Sequence, residues 1–203
     1  MARRVDNTRQ APAQPTGARS VVAWDRMESP LGPIHVAWGP QGICLVTRGQ
    51  ETADFLEELT ALHPSWTPVQ DGEKLAPVMA RLERFFQGEP VSFDFPVDLS
   101  PLTPFQQAVL EATRAIPPGQ VMTYGEIAAA IGRPRASRAV GQALRRNPVS
   151  ILIPCHRVVG SGGALGGYGG PAGAAIKRRL LALEGHFIGT AWPDPVQGPG
   201  NLD

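Results

Sequence analysis

The chain is short of cysteine, of long apolar runs and of net charge, and each shortage closes off a class of function. Its 203 residues include two cysteines, Cys44 and Cys155, too few for the disulfide framework of a small secreted domain. No CxxC pair occurs, and His35, His63, His156 and His186 are scattered, so no metal site is expected. No stretch approaches the roughly 20 apolar residues of a membrane span. Residues 1–20 are polar and lack an apolar run of signal-peptide length, so they read as a disordered tail. The expectation is a soluble intracellular protein of the cytoplasm or nucleoid, or of the nucleus in a eukaryote. The stretch "GSGGALGGYGG" has seven glycines in eleven residues, but no Gly-Lys-Ser/Thr follows it as in a phosphate loop.

Net charge is only +1, yet it is unevenly spread. Residues 1–100 carry 9 Lys/Arg against 13 Asp/Glu, and residues 101–190 carry 10 against 3. A basic second half suggests an anionic partner, of which nucleic acid is the commonest, although a solvated basic face explains the charge equally well. Residues 21–50 alternate apolar runs with Pro- and Gly-rich turns and read as strands. Residues 51–62 and 73–87 space their apolar side chains as helices do, and "GEPVSFDFPVDLSPLTP" reads as an extended connection.

The second half is helical. Thr103-Pro104 opens one helix, and Thr123 with Glu126 forms a capping-box pattern at the start of the next. Gly132 is placed to close that helix. After "RPRA", Ser137 is placed to cap "SRAVGQALRRNP". This is a helix-turn-helix pattern, a weak signal by itself. Ser137, Ala139, Gly141 and Ala143 are small, and Arg138, Arg145 and Arg146 are basic. Such a helix suits close packing against a neighbour or close approach to a DNA groove.

Cys155 lies in "IPCHRVV", beside His156 and Arg157 and behind the apolar run Ile151-Leu152-Ile153. Positive neighbours favour the nucleophilic thiolate. Cys44, inside "GICLVT", reads as core. Glu184 falls at the end of the last helix, where a carboxylate opposes the helix dipole. It is either an exposed residue that tolerates the cost or the group that orients His156 in a Cys-His-Glu set.

Taken together, "SRAVGQAL", "NP", "ILIPCHRVV", "GGYGG" and "LLALEGH" resemble the O6-alkylguanine-DNA alkyltransferases, or methylated-DNA–protein-cysteine methyltransferases. "SPLGPIHVAW" and "TPFQQAVLEATRAIPPGQVMTYGEIA" extend the similarity over about residues 21–189. The resemblance implies an α+β chain. A small N-terminal α/β domain of ribonuclease-H-like form would span 21–98. A mainly helical C-terminal domain with a winged-helix-like helix-turn-helix would span 99–190, and 1–20 and 191–203 would be tails. It implies direct-reversal repair in which Cys155 takes the alkyl group from O6-alkylguanine in DNA once and is not regenerated; O4-alkylthymine stays open. His156 would remove the thiol proton through a water, held by Glu184. Tyr124 would aid base rotation and donate to guanine N3, and Asn147 would be the hinge.

By the same resemblance, Arg138 would fill the gap left by the rotated base, with Ser137, Ala139, Gly141, Ala143 and Arg145 on the DNA-facing helix. Val158 would offer its carbonyl to the exocyclic amine, and Tyr168 and the Gly169 N–H would complete the pocket. No cofactor is implied. The implied partner is double-stranded DNA bound through the minor groove, by a monomer whose cooperative assembly on DNA is left open; no membrane is involved. Three departures stand out: Arg146 ahead of Asn147, Ser150 in place of a common proline, and a loop after Gly170 about two residues longer than usual. Two readings from other classes remain: a non-catalytic DNA-binding module, which leaves Cys155, His156 and Glu184 unexplained, and a Cys-His hydrolase, which leaves the arginine-bearing helix unexplained.

Overall fold

The computed structural model describes residues 20–168 and 173–185. Strands β1 (Ser20–Met27), β2 (Ile34–Gly39) and β3 (Gly42–Arg48) follow one another as antiparallel neighbours. Helix α1 (Thr52–Leu62) leads to β4 (Trp66–Gln70), which adds parallel to β1 and gives the order β3-β2-β1-β4. Side chains alternate across the sheet, so each face receives its own helix. Val22, Trp24, Ala37 and Leu45 meet Phe55 and Leu59 of α1 on one side. Ala23, Ile34, Val36, Ile43 and Val46 face the other side, with Leu75, Val78, Leu82 and Phe85 of α2 (Gly72–Phe86). Strand β4 is absent from the sequence expectation because Pro68 interrupts it; a proline is tolerated there because the strand lies at the sheet edge.

The second half adds α3 (Pro104–Arg114), α4 (Tyr124–Ala130), α5 (Ser137–Leu144) and α6 (Gly173–Leu183), with a two-stranded parallel pair of β5 (Met122–Thr123) and β6 (Val158–Val159). The chain is therefore a mixed α+β fold, as expected. Thr103 and Thr123 cap their helices as expected; Thr123 forms its capping box with Glu126, and Thr103 forms one with Gln106 as well. At the end of α4, Gly132 adopts φ +70°. Its N–H bonds the Ala129 carbonyl and the Arg133 N–H bonds the Ala128 carbonyl, the paired closure that a left-handed glycine permits. Ser137 does not cap α5. The cap position falls on Ala136, and Ser137 is the first helical residue.

The extended connection and the helical half together close the outer edge of the sheet. Ile43 N–H bonds the Pro96 carbonyl at 2.8 Å, and Asp98 N–H bonds the Ile43 carbonyl at 2.9 Å. Further along, Val46 N–H bonds the Pro148 carbonyl at 2.7 Å, and the Ser150 hydroxyl donates to the Val46 carbonyl at 3.2 Å. Strand β3 thus grips the segment that runs into Cys155. Among the described residues no helix is long and apolar enough to cross a membrane.

Candidate active site

Residues 147–157 fold back tightly and lift one thiol into a cavity. Asn147 governs the turn. Its Nδ2 donates to the Ile153 carbonyl at 2.9 Å and to the Cys155 sulfur at 3.3 Å, and its Oδ1 accepts the Val149 N–H at 3.1 Å. Ile151 adopts φ +74°, a left-handed conformation that costs a β-branched residue about 1–3 kcal/mol. Ile151 and Ile153 are both fully buried, and each such burial contributes about 1.5–3 kcal/mol, enough to offset the strain. Cys155 then opens a single 3-10 turn, Cys155–Arg157, 8% exposed.

The Glu184 side chain is buried, 4% exposed, and its carboxylate meets His156, Arg157 and, at 3.4 Å, the Gly119 N–H. His156 Nε2 lies 3.1 Å from its Oε1. Arg157 grips both carboxylate oxygens at 2.6–3.1 Å and donates a further bond to the Ile116 carbonyl. Burial alone would raise the Glu184 pKa, but these hydrogen bonds bring it down to about 2. Burial pushes the His156 pKa down, so the imidazole is neutral and Arg157 is the cation of the pair. A neutral ring that gives its Nε2–H to Glu184 keeps a lone pair on Nδ1, and Nδ1 is buried without a hydrogen-bond partner. The site therefore holds a base. The sulfur's own hydrogen-bond partner is Asn147, not His156.

Burial raises the Cys155 pKa, against the Asn147 hydrogen bond and the charge of Lys177. Lys177 is a site residue that the sequence reading missed. It is 1% exposed, donates to the Val158 carbonyl and lies 5.7 Å over the Tyr124 ring. Burial lowers its pKa to about 8, so it remains largely protonated at neutral pH and supports a thiolate. A signal existed: Lys177 shares its helical stripe with Leu180 and Leu181 at i+3 and i+4, and a lysine on a buried stripe calls for a reason.

Tyr124 stands between two openings. Cys155, Asn147, Tyr168 and Tyr124 line a cavity of about 270 Å³. On the other flank a groove of about 490 Å³ is lined by Tyr124, Ser137, Arg138, Gly141 and Ser161. Gly166 comes so close that a Cβ there would sit 2.9 Å from the Tyr124 hydroxyl, and its φ is +63°; only glycine fits. Arg138, Ala139 and Arg145 are exposed, and Ser137 and Gly141 are half-buried. Ala143 corrects the expectation: at 3% exposure it packs in the core, on the buried stripe it shares with Val140 and Leu144. Tyr168 is buried, edge-on to His156 at 6.4 Å. Val158 is buried, its carbonyl already accepting from Lys177. Gly169 lies outside the described residues.

Two family models match, the ribonuclease-like domain of 6-O-methylguanine DNA methyltransferase over residues 22–99 and its DNA binding domain over 104–186. The chain belongs to the 6-O-methylguanine DNA methyltransferase family. Within that family it is 44% identical over 161 residues to the methylated-DNA–protein-cysteine methyltransferase of Methanosarcina acetivorans, covering 78% of this chain and 95% of that one. The Salmonella typhimurium protein of the same name is 38% identical over 166 residues, covering 81% and 96%. The crystal structure of Mycobacterium tuberculosis OGT in complex with DNA superposes with a TM-score of 0.67 at 38% identity, covering 80% of this chain and 92% of that one.

Proposed function

We propose that this member of the 6-O-methylguanine DNA methyltransferase family repairs DNA by moving the alkyl group of O6-alkylguanine onto the Cys155 sulfur, once per chain. The observation that carries this reading is a thiol at the floor of a cavity of about 270 Å³, near the lower end for a small-molecule site, beside an exposed arginine-bearing helix. A base inside a duplex cannot reach such a floor, so it must rotate out of the stack. Helices α4 and α5 act as a helix-turn-helix, with α5 toward the minor groove and Arg138 in the gap the base leaves. Residues 21–98 and 99–190 act as the two domains, a division supported by the separate family matches over 22–99 and 104–186.

The chemistry is a displacement. His156 takes the thiol proton through a water, and Glu184, kept ionised by Arg157, holds the imidazole. The S–C bond forms as the C–O6 bond breaks, and guanine leaves neutral once a proton reaches its ring, which the Tyr124 hydroxyl donates at N3. Lys177 stabilises the thiolate and holds the Val158 carbonyl, which has one lone pair left for the exocyclic amine. The test is duplex DNA carrying radiolabelled O6-methylguanine. Label is expected to move to the protein and stop at one methyl per chain; repeated turnover, or no transfer, would refute the reading.

Gly141 gives a second test. A Cβ there would sit 3.7 Å from Tyr124 Cε1, an ordinary contact, so packing in the free protein does not require glycine. Gly141→Ala is expected to stabilise the free protein by about 0.5–1 kcal/mol in urea unfolding, because alanine suits a helix better. It should also slow repair of duplex DNA, where the helix must approach closely. A loss of stability instead would show that packing, not DNA, sets that glycine.

A further inference from the structure

The cavity above Cys155 has a wall that the helical half does not supply. Thr47 and Arg48 end β3, Gln50 follows, and Glu58 comes from α1; all four line the same opening as Cys155. They are held there firmly, because Val46 is bonded to Pro148 and Ser150 on the way into the cysteine turn. This wall is polar and incompletely satisfied. Thr47 Oγ1 and Gln50 Oε1 are buried without hydrogen-bond partners. The Tyr168 hydroxyl makes no well-formed hydrogen bond, although Arg48 and the Cys155 sulfur lie close enough to act on it. Arg48 sits 5.2 Å over the Tyr168 ring. Glu58, the one carboxylate among the described residues of this wall, accepts from Gln50 Nε2 at 2.9 Å. Buried polar atoms without partners are uncommon and call for an explanation.

We propose that this wall, centred on Arg48 with Thr47, Gln50, Ser150 and Tyr168, is the compartment for the substituent on the transferred carbon, and that it selects alkyl groups ending in a carboxylate. The proposal rests on the alkyl-transfer reading above. The base enters from the side of Tyr124 and Gly141, next to the exposed helix. Tyr124 and Gly141 also line the cavity itself, so a base entering past them directs its O6 substituent inward, to the polar wall. A carboxylate beside a forming thiolate is repelled unless a cation meets it, and a guanidinium matches its two oxygens. Ser150, already bonded to Val46, adds a hydroxyl to the same compartment. The transfer is otherwise unchanged: S–CH2 forms as CH2–O6 breaks, the thiol proton goes to His156, guanine leaves with a proton on its ring, and the carboxylate is carried across intact.

The experiment uses three duplexes that differ only at O6: methyl, carboxymethyl, and the neutral carbamoylmethyl of nearly the same size. Single-turnover transfer by the full chain is expected to be about tenfold faster for carboxymethyl than for carbamoylmethyl, about 1.4 kcal/mol. That preference should shrink as salt is raised. Arg48→Met should collapse the carboxymethyl-to-carbamoylmethyl ratio toward one, and Arg48→Lys should restore part of it. Equal or slower carboxymethyl transfer by the parent protein overturns the proposal without any variant, as does a ratio that survives Arg48→Met. Failure of all three substrates, methyl included, would instead sink the alkyl-transfer reading, a result distinct from methyl transfer without selectivity.

Discussion

Cys155→Ser is expected to bind duplex DNA within a few-fold of the parent affinity and to accept no alkyl group. The serine hydroxyl can still receive the Asn147 Nδ2 hydrogen bond that the sulfur receives now. The substitution is nearly the same size, so the fold should hold to within about 1 kcal/mol. What it loses is nucleophilicity: a hydroxyl does not ionise near neutral pH, and it is a far weaker nucleophile than a thiolate toward an alkyl carbon. A fall in transfer of at least about 10⁴-fold is expected, read as label retained on DNA. The alternative acceptor would be Cys44, which burial on the sheet pushes up to about 11 and which is 4% exposed. Label found on Cys44, or parent-like transfer by the serine variant, would refute the assignment. Transfer by the parent that is lost in the serine variant while DNA binding survives would separate the chain from a pure binding module.

Glu184→Gln should damage both stability and rate. Removing the charge leaves Arg157, 5% exposed, as a buried cation with no counter-ion, a defect of about 3–5 kcal/mol. Unfolding should shift down by roughly 10 °C for a chain of this size. The rate should fall by on the order of 10²-fold as His156 loses its orienting acceptor. A double variant, Arg157→Met with Glu184→Gln, removes the stranded charge. It should regain much of the stability and none of the rate, which a purely structural Glu184 would not do. The parent's acid response follows from the same group. Glu184 titrates at about 2 when folded against an ordinary 4.5, so its contribution is full above pH 4.5 and is lost as pH falls through 2. This amounts to about 3 kcal/mol, and it should be missing from the acid unfolding of Glu184→Gln.

Much of the machinery is written in local sequence, and the parts that are not depend on distance along the chain. The caps at Thr103 and Thr123 are patterns of two to four neighbouring residues and form as read. Gly132 ends α4 as its neighbours dictate. The pairing of His156 with Glu184 could be posed from the helix-terminal position of a carboxylate, but Arg157 as that carboxylate's cation could not: its second anchor, the Ile116 carbonyl, lies 41 residues away. Lys177 was legible in principle from helical phase. Ala143 and Gly141 differ only by phase, which places one in the core and the other beside Tyr124. The Thr47–Glu58 wall was out of reach. It meets Cys155 only because the sheet edge pairs with residues 148–150, and edge pairing leaves no mark in composition or period.

That edge pairing also has a mechanical side. The Val46 amide belongs to the sheet and its acceptor, Pro148, to the turn that carries the thiol, so neither half can breathe there alone. Opening the sheet edge must break the same Val46 bonds that hold the cysteine turn, so the two are expected to open together. On the alkyl-transfer reading, an alkyl group added to Cys155 would press on Asn147, whose Nδ2 bonds the sulfur at 3.3 Å at one end of this seam. The chemical record of a repair would then be coupled to how often the seam opens, and a spent molecule is expected to exchange its Val46 amide faster than a fresh one.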